Sequence, residues 1–299
     1  MIDWLKVWFK AARAPFLVVS FIPCILGGAI AYSDGYFAWL PFIIATIGIV
    51  MAHSAADFID DYFDYKTGNL GNKEKQFHDS PLIDKKVTPG QVMFAFILCM
   101  AIALACGIYL LITVGMPVVT MALIGTFIVL FYTSPPLKLN YRGLGETMLF
   151  IAFGPLITFG MYYVLSGNFS WEALIAGIPV GIFTMNVGLV SNTFDYLDDI
   201  ESNKRSIPVR FGQANAVRLL SVVSVIAYLV IITGMFAKLF PVWVVMAIAP
   251  LPLSVAVVKG TSKFTDTSNY TPAMSKAIAL ASLTGLTMFF GYLLEIVLR

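Results

Sequence analysis

Charge is scarce in this chain. Only 12% of its 299 residues are Asp, Glu, Lys or Arg, about half the roughly 25% usual in a soluble domain. So few charges cannot cover a globular surface with solvated groups, which excludes an ordinary soluble protein. The 59% hydrophobic share points instead to an integral membrane protein. Cysteine is scarcer still. Cys24, Cys99 and Cys106 sit in apolar runs with no disulfide or zinc spacing, and read as small packing residues. Of the two histidines, His53 lies inside an apolar run, where it reads as a polar packing residue or a proton relay, and His78 carries no pattern. The net charge of +2 leaves no strongly basic surface, and no nucleic-acid partner is expected. No cleavable leader is evident either. "MIDWLKVWFKAARAP" interleaves aromatic and basic residues, and residues 1–14 read as an interfacial helix.

What the chain does have is long apolar runs. A membrane span takes about 20 mainly apolar residues. Nine candidates lie near 15–33, 37–60, 91–113, 117–134, 145–166, 172–194, 215–236, 240–259 and 275–297. Nine crossings leave only Lys238 and Arg299, of 19 basic residues, away from the N-terminal side. By the positive-inside rule that N-terminal side is cytoplasmic. The same side carries the long polar connections, 61–90 and 195–214, which read as active-site loops of one membrane domain spanning 1–299.

Aspartate is concentrated where two of these runs end. "IDDYFDYKTG" closes the second run and "SNTFDYLDDI" the sixth. At an offset of 131 residues Asp64 falls on Asp195, Asp61 on Asn192 and Gly68 on Asp199. The echo predicts two related four-helix halves plus one helix, around a central cavity open to the cytoplasm. Positions i and i+4 share a helix face, so Asp60 and Asp64 point together, as do Asp195 and Asp199. Clustered carboxylates at a low-dielectric boundary need compensating positive charge. Hard oxygen ligands in that number suit Mg²⁺, which keeps waters and takes substrate phosphates. Two such clusters around one cavity suit a diphosphate. A solvated acidic helix end, or the ion path of a cation transporter, remain the alternatives.

"DDYFDYKTG", "YTSPPLKLNYRGLGE", "FGPLITFGMYYVLSG" and "SNTFDYLDDIESNKRSIPVRFG" resemble the UbiA superfamily of intramembrane prenyltransferases, and most nearly its 1,4-dihydroxy-2-naphthoate polyprenyltransferase branch. The resemblance runs from Arg13 to Gly212. It implies that Asp60, Asp61 and Asp64, with Asp195, Asp198 and Asp199, hold Mg²⁺ and a prenyl diphosphate. Asp60 replaces the family's usual asparagine, and Gly68 stands where many members carry a third aspartate. The resemblance further implies that Arg13, Ser134, Lys138, Asn192 and Lys204 bind substrate. Lys204 also stabilises the departing pyrophosphate, on a loop that closes as a lid, and Tyr132 faces the allylic cation. The product is a prenylated aromatic acceptor made in the cell membrane, the acceptor being 1,4-dihydroxy-2-naphthoate. 4-Hydroxybenzoate, haem and a glycerol phosphate lipid are the other acceptors to weigh.

Overall fold

The computed structural model describes residues 2–68, 70 and 80–298, and no β-strand occurs among them. An N-terminal helix α1 (Ile2–Ala11) ends where Arg13 adopts a left-handed conformation (φ 45°). A 3₁₀ turn, Ala14–Leu17, then leads into α2 (Val18–Ser33), followed by α3 (Trp39–Thr67), α4 (Pro89–Val114) and α5 (Met116–Phe131). Next come α6 (Gly145–Ile151), a π turn at Ala152–Leu156, α7 (Ile157–Ser166) and α8 (Trp171–Phe194). The short α9 (Tyr196–Glu201) and α10 (Ile207–Phe211) precede α11 (Gln213–Phe236). A 3₁₀ stretch at Val242–Ile248 continues as α12 (Leu251–Thr261), and α13 (Tyr270–Leu298) ends the fold. Among the described residues eight apolar segments are long enough to cross a membrane, and α5, at 16 residues, is a shorter apolar helix.

Two expected loops are partly helical. The loop expected over 61–90 does not begin at 61, because α3 continues to Thr67. Nothing in Asp60–Thr67 breaks a helix, and buried partners for Asp61 and Asp64 hold this last stretch in place. Gly68 ends it in the left-handed conformation, φ 78°, that favours glycine at a helix C-terminus. The position read as a missing third aspartate is therefore a cap. Of the rest of that loop, residues 69 and 71–79, Asn69 and His78 among them, lie outside the described residues, residues 80–88 form turns, and α4 has begun by Pro89. The expected loop 195–214 contains α9 and α10.

The centre of the bundle is α8, with 72% of its apolar window buried, against 11% for α4 at the periphery. It packs on α11, α13, α6 and the π turn, while α3 packs chiefly on α4. Glycines allow the closest of these crossings. A Cβ on Gly177 would meet the Gly154 backbone at 2.7 Å, and one on Gly181 would meet the Phe150 carbonyl at 2.5 Å. The obstacles are backbone atoms, which no rotamer change moves, and such small-residue crossings pack membrane helices tightly. Gly177→Val should therefore destabilise the bundle by about 1–3 kcal/mol, the usual cost of overpacking. A thermal midpoint in detergent equal to that of the parent protein would contradict the crossing.

Candidate active site

The two aspartate motifs approach one another through α3 and the α8–α9 junction. Both border a cavity of about 990 Å³. Its polar end is lined by Arg13, Asp57, Asp60, Asp64, Asn192, Asp195, Asp198, Asp199 and Lys204. Its apolar arm runs between α3, α4, α5, the π turn and α7. Ile97, Leu104, Ile108 and Leu123 line this arm and are exposed, and α4 lies at the periphery, so a single layer of helices, α4 and α5, walls the arm there.

Each motif is held by one basic residue. Arg13 donates to Asp61 and places Nη2 3.4 Å from Asp60 and Nη1 3.9 Å from Asp57. The left-handed turn at Arg13 directs the chain back from α1 to reach α3, 48 residues away in sequence. At the second motif, Lys204 Nζ lies 3.0 Å from Asp199 and donates to Asn192 Oδ1 at 2.8 Å. Burial alone would lower the Lys204 ammonium, but Asp199, Asp64 and Asp195 hold it above the usual lysine range. Burial also pushes the Asp195 carboxyl up to about 7, against the downward pull of Lys204.

Further contacts fix these groups. Tyr141 donates to Asp64 Oδ1 at 2.7 Å, and Ser206 to Asp199 Oδ2 at 2.6 Å. Ser191 donates to Asp195 at 2.9 Å. Asn192 Nδ2 donates to Glu146 Oε1 at 2.8 Å, so a buried chain runs Glu146–Asn192–Lys204–Asp199. The Arg205 amide bonds the Tyr141 carbonyl at 2.9 Å, tying the loop that carries Lys204 to the loop that carries Tyr141.

Not every residue singled out in the sequence faces the cavity. Tyr132, Asn192, Lys204, Arg13, Asp60, Asp64, Asp195, Asp198 and Asp199 do. Asp61 is buried behind them on Arg13 and is not part of the lining. Ser134 spends its hydroxyl on the Leu130 carbonyl of its own preceding turn. Lys138, in a left-handed conformation (φ 46°), sets its ammonium 5.3 Å from the Tyr141 ring centroid, outside the lining. Sequence reading passed over Glu146, Tyr141 and Ser206. Glu146 did carry a signal, as the lone charge at the head of an apolar run.

A divalent metal fits this donor set in chemistry. Asp60 Oδ1 is a buried carboxylate oxygen with no hydrogen-bond partner, and the lining offers further carboxylates. Among the described residues no three acidic, histidine or cysteine side chains converge tightly enough to cage an ion alone. That suits Mg²⁺, which retains waters and takes substrate phosphate oxygens beside one or two carboxylates.

Known proteins share both the sequence and the fold. The 2-carboxy-1,4-naphthoquinone phytyltransferase of Synechocystis is 28% identical over 294 residues, covering 96% of this chain and 93% of that protein. The 1,4-dihydroxy-2-naphthoate octaprenyltransferase of Bacillus subtilis is 22% identical over 291 residues, covering 97% and 91%. A UbiA homologue from Aeropyrum pernix, 15% identical, superposes with a TM-score of 0.71 over 93% of this chain and 98% of its own. One from Archaeoglobus fulgidus, solved with GPP and Mg²⁺, gives 0.54 at 16% identity over 95% and 99%. With the model of the UbiA prenyltransferase family matching residues 20–290, nearly its whole length, the chain belongs to that family.

Proposed function

We propose that this prenyltransferase moves a polyprenyl group from a prenyl diphosphate to 1,4-dihydroxy-2-naphthoate, with Mg²⁺ held at the carboxylates of Asp60, Asp64, Asp195, Asp198 and Asp199. The carrying observation is the pair of aspartate motifs at the polar end of one cavity whose other arm is long and apolar. The metal, when bound, neutralises diphosphate charge and so eases departure of the leaving group. The chain's own groups do the rest. Lys204, aimed by Asn192 and Asp199, adds a fixed positive charge at the diphosphate end. Tyr132, on the same lining, presents an aromatic ring to the allylic cation, a contact worth about 0.5–2 kcal/mol. The apolar arm holds the tail and keeps water from the cation. Two naphthoate-type relatives favour the acceptor assignment. The test is purified protein offered geranylgeranyl diphosphate with a panel of acceptors, 4-hydroxybenzoate included, and products read by mass. Prenylation of another acceptor in preference to 1,4-dihydroxy-2-naphthoate would overturn the acceptor assignment.

The nine-span topology, with two four-helix halves and the active site facing the cytoplasm, belongs to the same proposal. The run of basic residues on one side supports it. A cysteine at Glu201, exposed in α9, should react with a membrane-impermeant reagent only from the cytoplasm. One at Asn168, exposed between α7 and α8, should react only from the opposite side. Labelling of both from one face would refute this topology. A cation transporter fits less well. At the end of the bundle away from the aspartate motifs, Asp34 and Glu172 accept hydrogen bonds from Tyr162 and Tyr292 and are not part of the cavity lining.

A further inference from the structure

We infer that His53 and Asp57 form the binding and proton-accepting site for a ring hydroxyl of the aromatic acceptor, an assignment that rests on the prenyl-transfer reading above. Both side chains lie one turn apart on α3 and line the cavity. Their hydrogen bonding leaves a gap with a defined chemistry. Ser20 has one hydroxyl proton and donates it to the Leu17 carbonyl at 2.9 Å. His53 Nδ1 lies 3.0 Å from the same oxygen, so Nδ1 must carry the hydrogen and donate. A neutral imidazole protonated at Nδ1 presents a lone pair at Nε2.

That lone pair faces another acceptor. Asp57 Oδ2 stands 3.8 Å from His53 Nε2 and is buried without a hydrogen-bond partner. The second oxygen of Asp57 is turned to Arg13 Nη1 at 3.9 Å. An imidazolium would close the gap to a charge-assisted bond of about 2.7–2.9 Å. At 3.8 Å the gap is too wide for a hydrogen bond between the two side chains. Two acceptors with no proton between them accommodate an O–H group, which donates to one.

The surroundings select an aromatic bearer of that hydroxyl. The Phe153 ring stands 4.6 Å from the imidazole, edge-on, and Phe16 also lines the cavity. Depth agrees as well. Asp57 and His53 precede Asp60 by three and seven residues, about 4.5 and 10 Å along the helix axis. A ring at that depth lies just beyond a diphosphate held at Asp60 and Asp64, where the allylic carbon emerges. In the reaction the hydroxyl proton passes to Nε2 and the O–H electron pair feeds the ring. A ring carbon uses its π pair to bond the allylic carbon, whose bonding pair to oxygen leaves with the diphosphate. The attacked carbon then loses its proton to an oxygen of the departed diphosphate, or its carboxylate as CO₂, which restores the aromatic ring. His53, paired meanwhile with Asp57, returns its proton to the ring oxygen.

The test compares 1,4-dihydroxy-2-naphthoate with 1,4-dimethoxy-2-naphthoate, whose oxygens cannot donate. Affinities are measured on the purified full chain with geranylgeranyl diphosphate bound. The parent protein should prefer the dihydroxy compound by about 10–100-fold, the effect of one buried hydrogen bond to an otherwise unpartnered group. His53→Leu should lose that preference and slow transfer, while geranylgeranyl diphosphate affinity stays at the parent value. Ser20→Ala, which keeps the imidazole but frees Nδ1, should lose part of the preference. A preference that survives His53→Leu overturns the inference. Should His53→Leu also lose geranylgeranyl diphosphate binding, Ser20→Ala decides, and an undiminished preference there overturns it equally. A parent protein that binds geranylgeranyl diphosphate yet prenylates no hydroxyarene overturns the prenyl-transfer reading, and this one with it.

Discussion

Asp64→Asn is expected to slow prenyl transfer by about 10²–10³-fold, the scale of removing one group that stabilises developing charge. The substitution isolates charge from shape. Tyr141 donates to Asp64 Oδ1 at 2.7 Å, and an asparagine oxygen can accept the same bond. The side chain thus keeps its place at the end of α3 while the negative charge is lost. Binding of prenyl diphosphate in the presence of Mg²⁺ should weaken in parallel, and the melting temperature should hardly move. Asp195→Asn should behave alike, because Ser191 can still donate to its oxygen. Chelator should abolish the parent activity and added Mg²⁺ should restore it. Near-native turnover in Asp64→Asn would remove the first motif from the metal site.

Lys204→Ala should act on both stability and chemistry. Lys204 is only 6% exposed, and its ammonium holds Asp199 and Asn192 together. Without it Asp199 keeps only its bond from Ser206 at 2.6 Å, and the second carboxylate oxygen is left buried and unpaired. Breaking one partner from a buried ion pair costs about 3–5 kcal/mol. The midpoint of thermal unfolding should fall accordingly. At the active site, the loss of a fixed charge should weaken prenyl diphosphate binding and slow transfer. The loop that carries Lys204 is tied to Tyr141 through the Arg205 amide, and loosening it should admit water to the cation. The product mixture should then contain more prenyl alcohol. Unchanged affinity, unchanged rate and no added alcohol would leave Lys204 only its part in setting topology.

Both predictions rest on residues that were readable before any coordinates. Asp60, Asp64, Asp195 and Asp199 announce themselves because spacing of four on a helix is a local property, and the offset echo is arithmetic. The apolar helices were legible for the same reason, since length and hydropathy alone identify a span. What depends on long-range approach was not. Arg13 meets Asp61 across 48 residues, and an arginine beside an interfacial helix has an equally good local partner in the membrane surface. Glu146 contacts Asn192 across 46 residues, at a face where Gly188 has no side chain to intervene. Ser134 and Lys138 were placed at the substrate by motif. Rotamer and backbone conformation, which a motif does not encode, turn them to Leu130 and Tyr141. Gly68 looked like a lost ligand until the helix was seen to need a left-handed end there.

The single-layer wall of α4 and α5 bears on how the enzyme should be assayed. Ile97, Leu104, Ile108 and Leu123 line the cavity, are exposed, and stand on the peripheral helices of the bundle. A polyprenyl tail lying against them is solvated by the bilayer almost as much as by the protein. The substrate concentration the enzyme senses is then a two-dimensional mole fraction in lipid, and molarity in the tube is the wrong variable. Diluting the protein and its lipid together with buffer should leave the rate per enzyme unchanged. Adding inert lipid at fixed substrate should slow it by surface dilution. Apparent constants measured in detergent micelles will therefore scale with micelle concentration, and variants compared across preparations need matched ratios of lipid to substrate.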